Sequence, residues 1–133
     1  MPLPFLDTNV ILRHLLGDNE TQSPRATAFI QRIEQGDVRV RTSDAVISEV
    51  VLTLERSYHQ QKPFIRDVLV TLLSLPGIVV PGKQRIRRFL DLYVERNLPY
   101  LDAHHVVLME QLGVTEIISF DHHFDRIPGI RRI

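Results

Sequence analysis

The sequence predicts an α/β fold with a short central parallel sheet of four to five strands and helices on both faces. Three observations predict it. Short apolar or β-branched runs alternate with longer stretches at helical spacing, the pattern of a parallel sheet covered on both faces. Two of those runs hand over to a helix through polar capping residues, at Asp7-Thr8-Asn9 and at Thr42-Ser43-Asp44. No internal repeat, low-complexity tract or linker interrupts the alternation, so 1–133 reads as one domain, long enough to bury a core.

The elements follow in order. Leu3-Pro4-Phe5-Leu6 is an apolar run suited to a buried strand, and it ends abruptly in an acid, a hydroxyl and an amide. Val10, Ile11, Leu12, Leu15 and Leu16 then fall mostly on a helical period, which Gly17-Asp18-Asn19 stops. Ser23-Pro24 reads as an N-cap followed by proline at the first helical position, with Ala26, Phe29, Ile30 and Ile33 continuing until Gly36. Val38 to Arg41 alternates apolar and basic, as a strand with one solvated face does. Thr42-Ser43-Asp44 caps a helix carrying Val46, Ile47, Val50, Val51 and Leu54. After a polar connection, Pro63 opens a helix with Ile65, Val68, Leu69, Leu72 and Leu73 on its buried face. Pro76-Gly77 ends it, and Ile78 to Val80 is a short β-branched strand. From Lys83 to Glu95, Ile86, Phe89, Leu90, Tyr93 and Val94 trace one helical face closely. Asn97-Leu98-Pro99-Tyr100 breaks that helix. Leu101 to Leu112 is apolar on nearly all sides, which places it inside the protein, and Gly113 ends it. Glu116 to Ser119 reads as a strand running straight into Phe120-Asp121, with Ile130 and Ile133 on a final short strand.

Composition narrows the classes. A hydrophobic content of 44% with 24% charged residues is ordinary for a folded soluble chain. The absence of cysteine excludes disulfides and thiolate metal sites. The start lacks the basic and apolar regions of a secretion signal, and no apolar run approaches the roughly 18 residues of a membrane span. A soluble, cytoplasmic protein is expected, with no membrane partner. Sixteen basic and sixteen acidic residues cancel, so bulk electrostatics do not announce a nucleic-acid binder. Only Lys62 and Lys83 among the basic residues are lysines. The planar fork of arginine suits phosphate oxygens, although genomic composition accounts for the bias equally well.

Four acids occupy informative places. Asp7 and Asp121 each follow an apolar strand-like run, at the strand end where ligands bind in open α/β sheets. Glu49 interrupts an apolar helix, and Asp102 starts the most apolar one. Each also has a plainer role open to it. Asp7 can cap a helix, Asp102 can complement a helix N-terminus, Glu49 can face solvent, and Asp121 can serve a turn. Carboxylates brought together would repel and take up protons unless a cation neutralised them. A divalent ion does so, and an all-oxygen shell points to Mg²⁺ or Mn²⁺. Spacing alone does not show that the four converge.

Four stretches together carry a resemblance: an opening Leu-Asp-Thr-Asn-Val, a helical Ser-Glu about forty residues on, an Asp-Ala-His-His at a helix start, and a closing Ser-Phe-Asp-His-His-Phe-Asp. In this order the chain resembles, over essentially its whole length, the PIN-domain ribonucleases, and more narrowly the VapC-type toxins of toxin–antitoxin pairs. The resemblance implies a single PIN-like domain that hydrolyses RNA phosphodiester bonds. In it Asp7, Glu49, Asp102 and Asp121 are the catalytic acids and hold one or two Mg²⁺ or Mn²⁺ ions. Asp7 and Asp102 would be direct ligands, and Glu49 and Asp121 would complete the shell, partly through water. Thr8, Asn9 and Ser119 would support the acids by hydrogen bonding, and Asp125 could share or replace the role of Asp121. A metal lowers the pKa of bound water and stabilises the attacking and leaving oxygens. The resemblance further implies a homodimer and a cognate antitoxin, received where helices at Pro24 to Gln35 and Pro63 to Ser74 carry apolar faces.

Other features point less far. His104-His105 and His122-His123 sit beside the third and fourth acids, and zinc sites do use histidine with carboxylates. Adjacent histidines diverge on a helix, so they are expected to fill a helix turn and line a loop, where His122 or His123 could touch RNA. Lys83, Arg85, Arg87 and Arg88 form the densest basic cluster, expected as a solvated helix face rather than an RNA contact. Competing functions are a housekeeping PIN nuclease of RNA processing or decay and a non-catalytic RNA-binding scaffold. An aspartyl phosphatase is disfavoured because Asn9 stands where its second acid belongs.

Overall fold

Residues 2–133 are described in a computed structural model, and Met1, the first residue of the opening run, lies outside them. They fall into two units, one closing at Lys83 and the other spanning Gln84–Ile133.

In the first unit the opening run is bridged in parallel to the next strand, Phe5 opposite Arg41. Leu6 N–H donates to the Arg41 carbonyl at 2.8 Å, and Arg41 N–H donates to that of Pro4 at 2.9 Å. Helix α1 (Thr8–Leu16) leaves from extended Asp7 and stops at Gly17, whose φ of 60° is left-handed. Helix α2 (Gln22–Glu34) starts earlier than Ser23-Pro24 predicts. Asn19 Oδ1 accepts the N–H groups of Thr21 and Gln22, at 3.0 and 2.7 Å, so the chain is already turned before Ser23. Ser23 Oγ instead accepts from Asn19 N–H. Strand β1 (Val40–Arg41) leads to α3 (Asp44–Arg56), where Ser43 Oγ accepts the Val46 N–H as the sequence predicts. Helix α4 (Lys62–Leu73) precedes β2 (Ile78–Val79), which pairs in parallel with β1, Val40 opposite Ile78. Ile11, Ile30, Ile33, Ile47, Leu54, Ile65 and Leu69 are buried. A β-carbon on Gly77 would lie 2.8 Å from Ile33 Cγ2, so only glycine lets the chain enter β2 here.

The second unit carries α5 (Lys83–Glu95, beginning at the boundary), α6 (Tyr100–Leu112), β3 (Glu116–Ile117), a 3₁₀ turn (His122–Arg126) and β4 (Arg131–Arg132). Strands β3 and β4 pair in parallel, Glu116 opposite Arg131. Tyr100 meets Tyr93 and Phe89 edge-on at 5.6 and 6.3 Å, an arrangement aromatic quadrupoles favour. Ile86, Leu90, Val106 and Phe124 of this unit are also buried.

Two expectations fare differently. Among the described residues a sheet of four to five strands is not seen: the named strands, each two residues long, pair as β1 with β2 and β3 with β4, and Phe5 is bridged to β1. Backbone pairing continues one residue past β1, where Thr42 N–H donates to the Val79 carbonyl at 3.0 Å, and helix α3 then begins at Asp44. Helix α6 is not enclosed: Leu101, Leu108 and Leu112 are exposed, the last at 67%. An all-round apolar helix need not be an all-round buried one. Among the described residues no helix is long and apolar enough to cross a membrane.

Candidate metal centre

The first unit presents Asp7 at the carboxyl end of the opening run. Its backbone is extended, φ −88° and ψ 159°, and its side chain makes no capping hydrogen bond to α1. The plain capping role is therefore absent, and an exposed carboxylate stands free of the helix it precedes. The next residue, Thr8, is 3% exposed, and its hydroxyl donates to Glu49 Oε2 at 3.0 Å. A buried hydroxyl thus fixes one oxygen of a carboxylate whose residue is otherwise exposed. Thr42 Oγ1 donates to the Leu6 carbonyl at 2.9 Å, holding the strand end that delivers Asp7. Asn9 is exposed on the first turn of α1.

The second unit brings three donors together. Asp102, in the first turn of α6, Asp121, just before the 3₁₀ turn, and His123 each offer a ligand atom, all within 4.8 Å of one another. Phe124, 2% exposed, anchors the turn and carries its neighbour His123 inward. His123 Nε2 lies 2.8 Å from Asp102 Oδ2, and both side chains are about four-fifths buried, at 18% and 21% exposure. His105 approaches the other oxygen, Asp102 Oδ1, at 3.7 Å. Ser119 Oγ accepts the Asp121 N–H at 3.0 Å, so the serine supports the acid through its backbone rather than its carboxylate.

Asp125 faces other partners. Arg132 Nε reaches Asp125 Oδ1 at 3.1 Å, and His122 Nδ1 lies 3.3 Å from Oδ2. The Arg132 guanidinium above all, with the His122 ring after it, holds the Asp125 carboxyl below its usual range. Arg132 also donates to the Ser119 carbonyl at 3.2 Å, clamping both ends of the loop that carries Asp121 and His123. Asp121 rather than Asp125 therefore stands with Asp102. The sequence reading expects His122 and His123 to line a loop, and does not single out His123 as a donor beside Asp102. The usable signal was its place directly before Phe124, whose burial aims the turn.

Two carboxylates and an imidazole suit a divalent cation, which cancels the repulsion between the acids. The basic cluster on α5 is partly occupied with structure: Arg88 Nη2 pairs with Glu110 at 3.0 Å, and Lys83 Nζ donates to the Leu75 carbonyl.

The sequence model of the PIN domain matches residues 5–130, and the chain belongs to that family. Within it the chain is similar to the VapC ribonuclease of Aquifex aeolicus (strain VF5), 29% identical over 125 residues. That alignment covers 94% of this chain and 92% of the relative.

Proposed function

We propose that the protein is a divalent-metal-dependent endoribonuclease, the toxin of a VapBC-like pair, using Mg²⁺ or Mn²⁺. The observation that carries the reading is the Asp102–Asp121–His123 donor group in a chain matched to the PIN domain over nearly its whole length. Asp102 and Asp121 in the second unit, with Asp7 and Glu49 in the first, are the acids on which cleavage depends. Asp7 and Asp102 are assigned as direct ligands.

When bound, the metal supplies an activated water and charge stabilisation at the phosphate. The chain's own groups prepare that chemistry. Thr8 holds one Glu49 oxygen in place. Ser119 fixes the backbone of Asp121, and Arg132 with Asp125 keeps the loop in register. Asn9 is assigned a supporting role beside Asp7.

The same reading takes the protein as a cytoplasmic homodimer that binds a cognate antitoxin. Support comes from the likeness to the VapC ribonuclease, and the helices expected to receive these partners line a cavity of about 260 Å³ in the first unit, among Leu15, Ile30, Val68, Leu72, His14 and Asp67. Those residues lie on α1, α2 and α4.

The test is cleavage of total cellular RNA by the purified protein with Mg²⁺ or Mn²⁺, alongside EDTA and Asp7→Asn. Discrete fragments that vanish in both controls are expected, with the variant's circular dichroism unchanged. Equal cleavage by Asp7→Asn would refute the assignment.

A further inference from the structure

A sulfur-free, oxygen-rich site is what the four acids lead one to expect, but the geometry around His123 carries a different implication. Its Nε2 is shut off from solvent and, among the described residues, has no hydrogen-bond partner, although Asp102 Oδ2 is only 2.8 Å away. The ring is not oriented to direct an N–H along that line. The lone pair and the N–H of an imidazole nitrogen share one direction, and here that direction misses the oxygen, so no hydrogen bond accounts for the 2.8 Å approach. A cation seated to one side of the line and touching both atoms needs no such alignment. Neighbouring donors of an octahedral ion with bonds near 2.1 Å are about 3 Å apart, close to the separation found. Asp121 supplies a third donor within the same 4.8 Å group.

We propose that His123 is itself a metal ligand through Nε2, so that the centre is a mixed nitrogen–oxygen site favouring Mn²⁺ over Mg²⁺. This inference rests on the metal-dependent reading above. Imidazole binds transition metals well, whereas Mg²⁺ keeps to oxygen donors and bound water. Asp102 bridges the two roles. Its Oδ2 shares the ion with His123, while Oδ1 faces His105 at 3.7 Å, so His105 is an outer neighbour and the natural control.

The experiment is pulsed EPR of Mn²⁺ bound to the full chain, paired with calorimetric titration of Mn²⁺ and Mg²⁺. Expected is a directly bonded nitrogen coupling that changes when histidine is supplied as the ¹⁵N form. It should persist in His105→Gln and His122→Gln and disappear in His123→Asn. His123→Asn should also weaken Mn²⁺ binding about tenfold or more, since losing even an outer partner of a ligand costs about 10–100-fold. Mg²⁺ binding should fall less, so the preference for Mn²⁺ shrinks. A merely structural role would weaken both ions alike. If His123→Asn does not fold, His123→Gln takes its place, and the nitrogen coupling should be lost there as well. Mn²⁺ bound with no nitrogen coupling overturns the ligand assignment and leaves the nuclease reading intact. No Mn²⁺ binding at millimolar concentration overturns both.

Discussion

Replacing Thr42 by valine keeps the β-branched shape and removes one hydroxyl. That hydroxyl is buried, with the residue 2% exposed, and it donates to the Leu6 carbonyl at 2.9 Å. The Thr42 N–H that donates to the Val79 carbonyl at 3.0 Å is untouched. Leaving a buried acceptor short of its donor costs about 1–3 kcal/mol. The methyl that replaces the hydroxyl returns about 0.8 kcal/mol of apolar burial. The net expected loss is about 0.2–2 kcal/mol. For a chain of this length that lowers the melting temperature by about 1–8 °C. Urea unfolding followed by circular dichroism is the assay: the midpoint should fall with the slope unchanged. Because Leu6 directly precedes Asp7, RNA cleavage should fall more than the lost stability explains. A midpoint at or above that of the unmodified protein would refute the view that this hydroxyl anchors the strand end.

Three further outcomes are expected. Gly77→Ala drives a methyl to 2.8 Å from Ile33 Cγ2 and 3.1 Å from the Val38 carbonyl, an overpacking that should cost about 1–3 kcal/mol in urea unfolding. An unchanged midpoint would show that the neighbours yield freely. Burial, opposed by the attraction of Glu34, lowers the pKa of His14, so the folded state resists a proton that the unfolded chain accepts. Stability should therefore drop as pH falls below about 6.5, and His14→Gln should lose that part of the pH dependence between about pH 7 and 5. The Arg88–Glu110 pair is exposed on both sides, so Glu110→Gln should change stability by less than about 1 kcal/mol, with the difference shrinking in molar salt.

Much of the helical framework was legible because its cause is local. Helix α5 has the bounds read from its apolar period, since Ile86, Phe89, Leu90 and Tyr93 form one stripe that must be covered. Helix α6 was located equally well but its environment was not, because a helix apolar on every side has no period to say which side is buried. Leu108 and Leu112 are the exposed result. Strand lengths depend on where backbone partners end, which no single segment encodes, and Val38 and Ser119 fell outside their pairs for that reason.

At the candidate site, the sequence places Asp102 at a helix start and Asp121 after a strand, and the structure brings the two together with His123. The choice between Asp121 and Asp125 was not legible, because it turns on Arg132, which the sequence places seven residues beyond Asp125. The two histidines do diverge, His122 toward Asp125 and His123 toward Asp102. Divergence rules out a joint ligand pair but not one histidine acting alone. Locating His123 required the turn around buried Phe124, a tertiary fact.

The Arg132 clamp has a consequence for the order of synthesis. A ribosome delivers the chain from its amino end at about 5–20 residues per second. Ser119, Asp121 and His123 therefore emerge ahead of the arginine that ties their loop, which lies thirteen positions after Ser119. For about one to three seconds the donors exist without the guanidinium that sets their register. The candidate metal centre is thus completed only when Arg132 is in place and the β3–β4 pair closes.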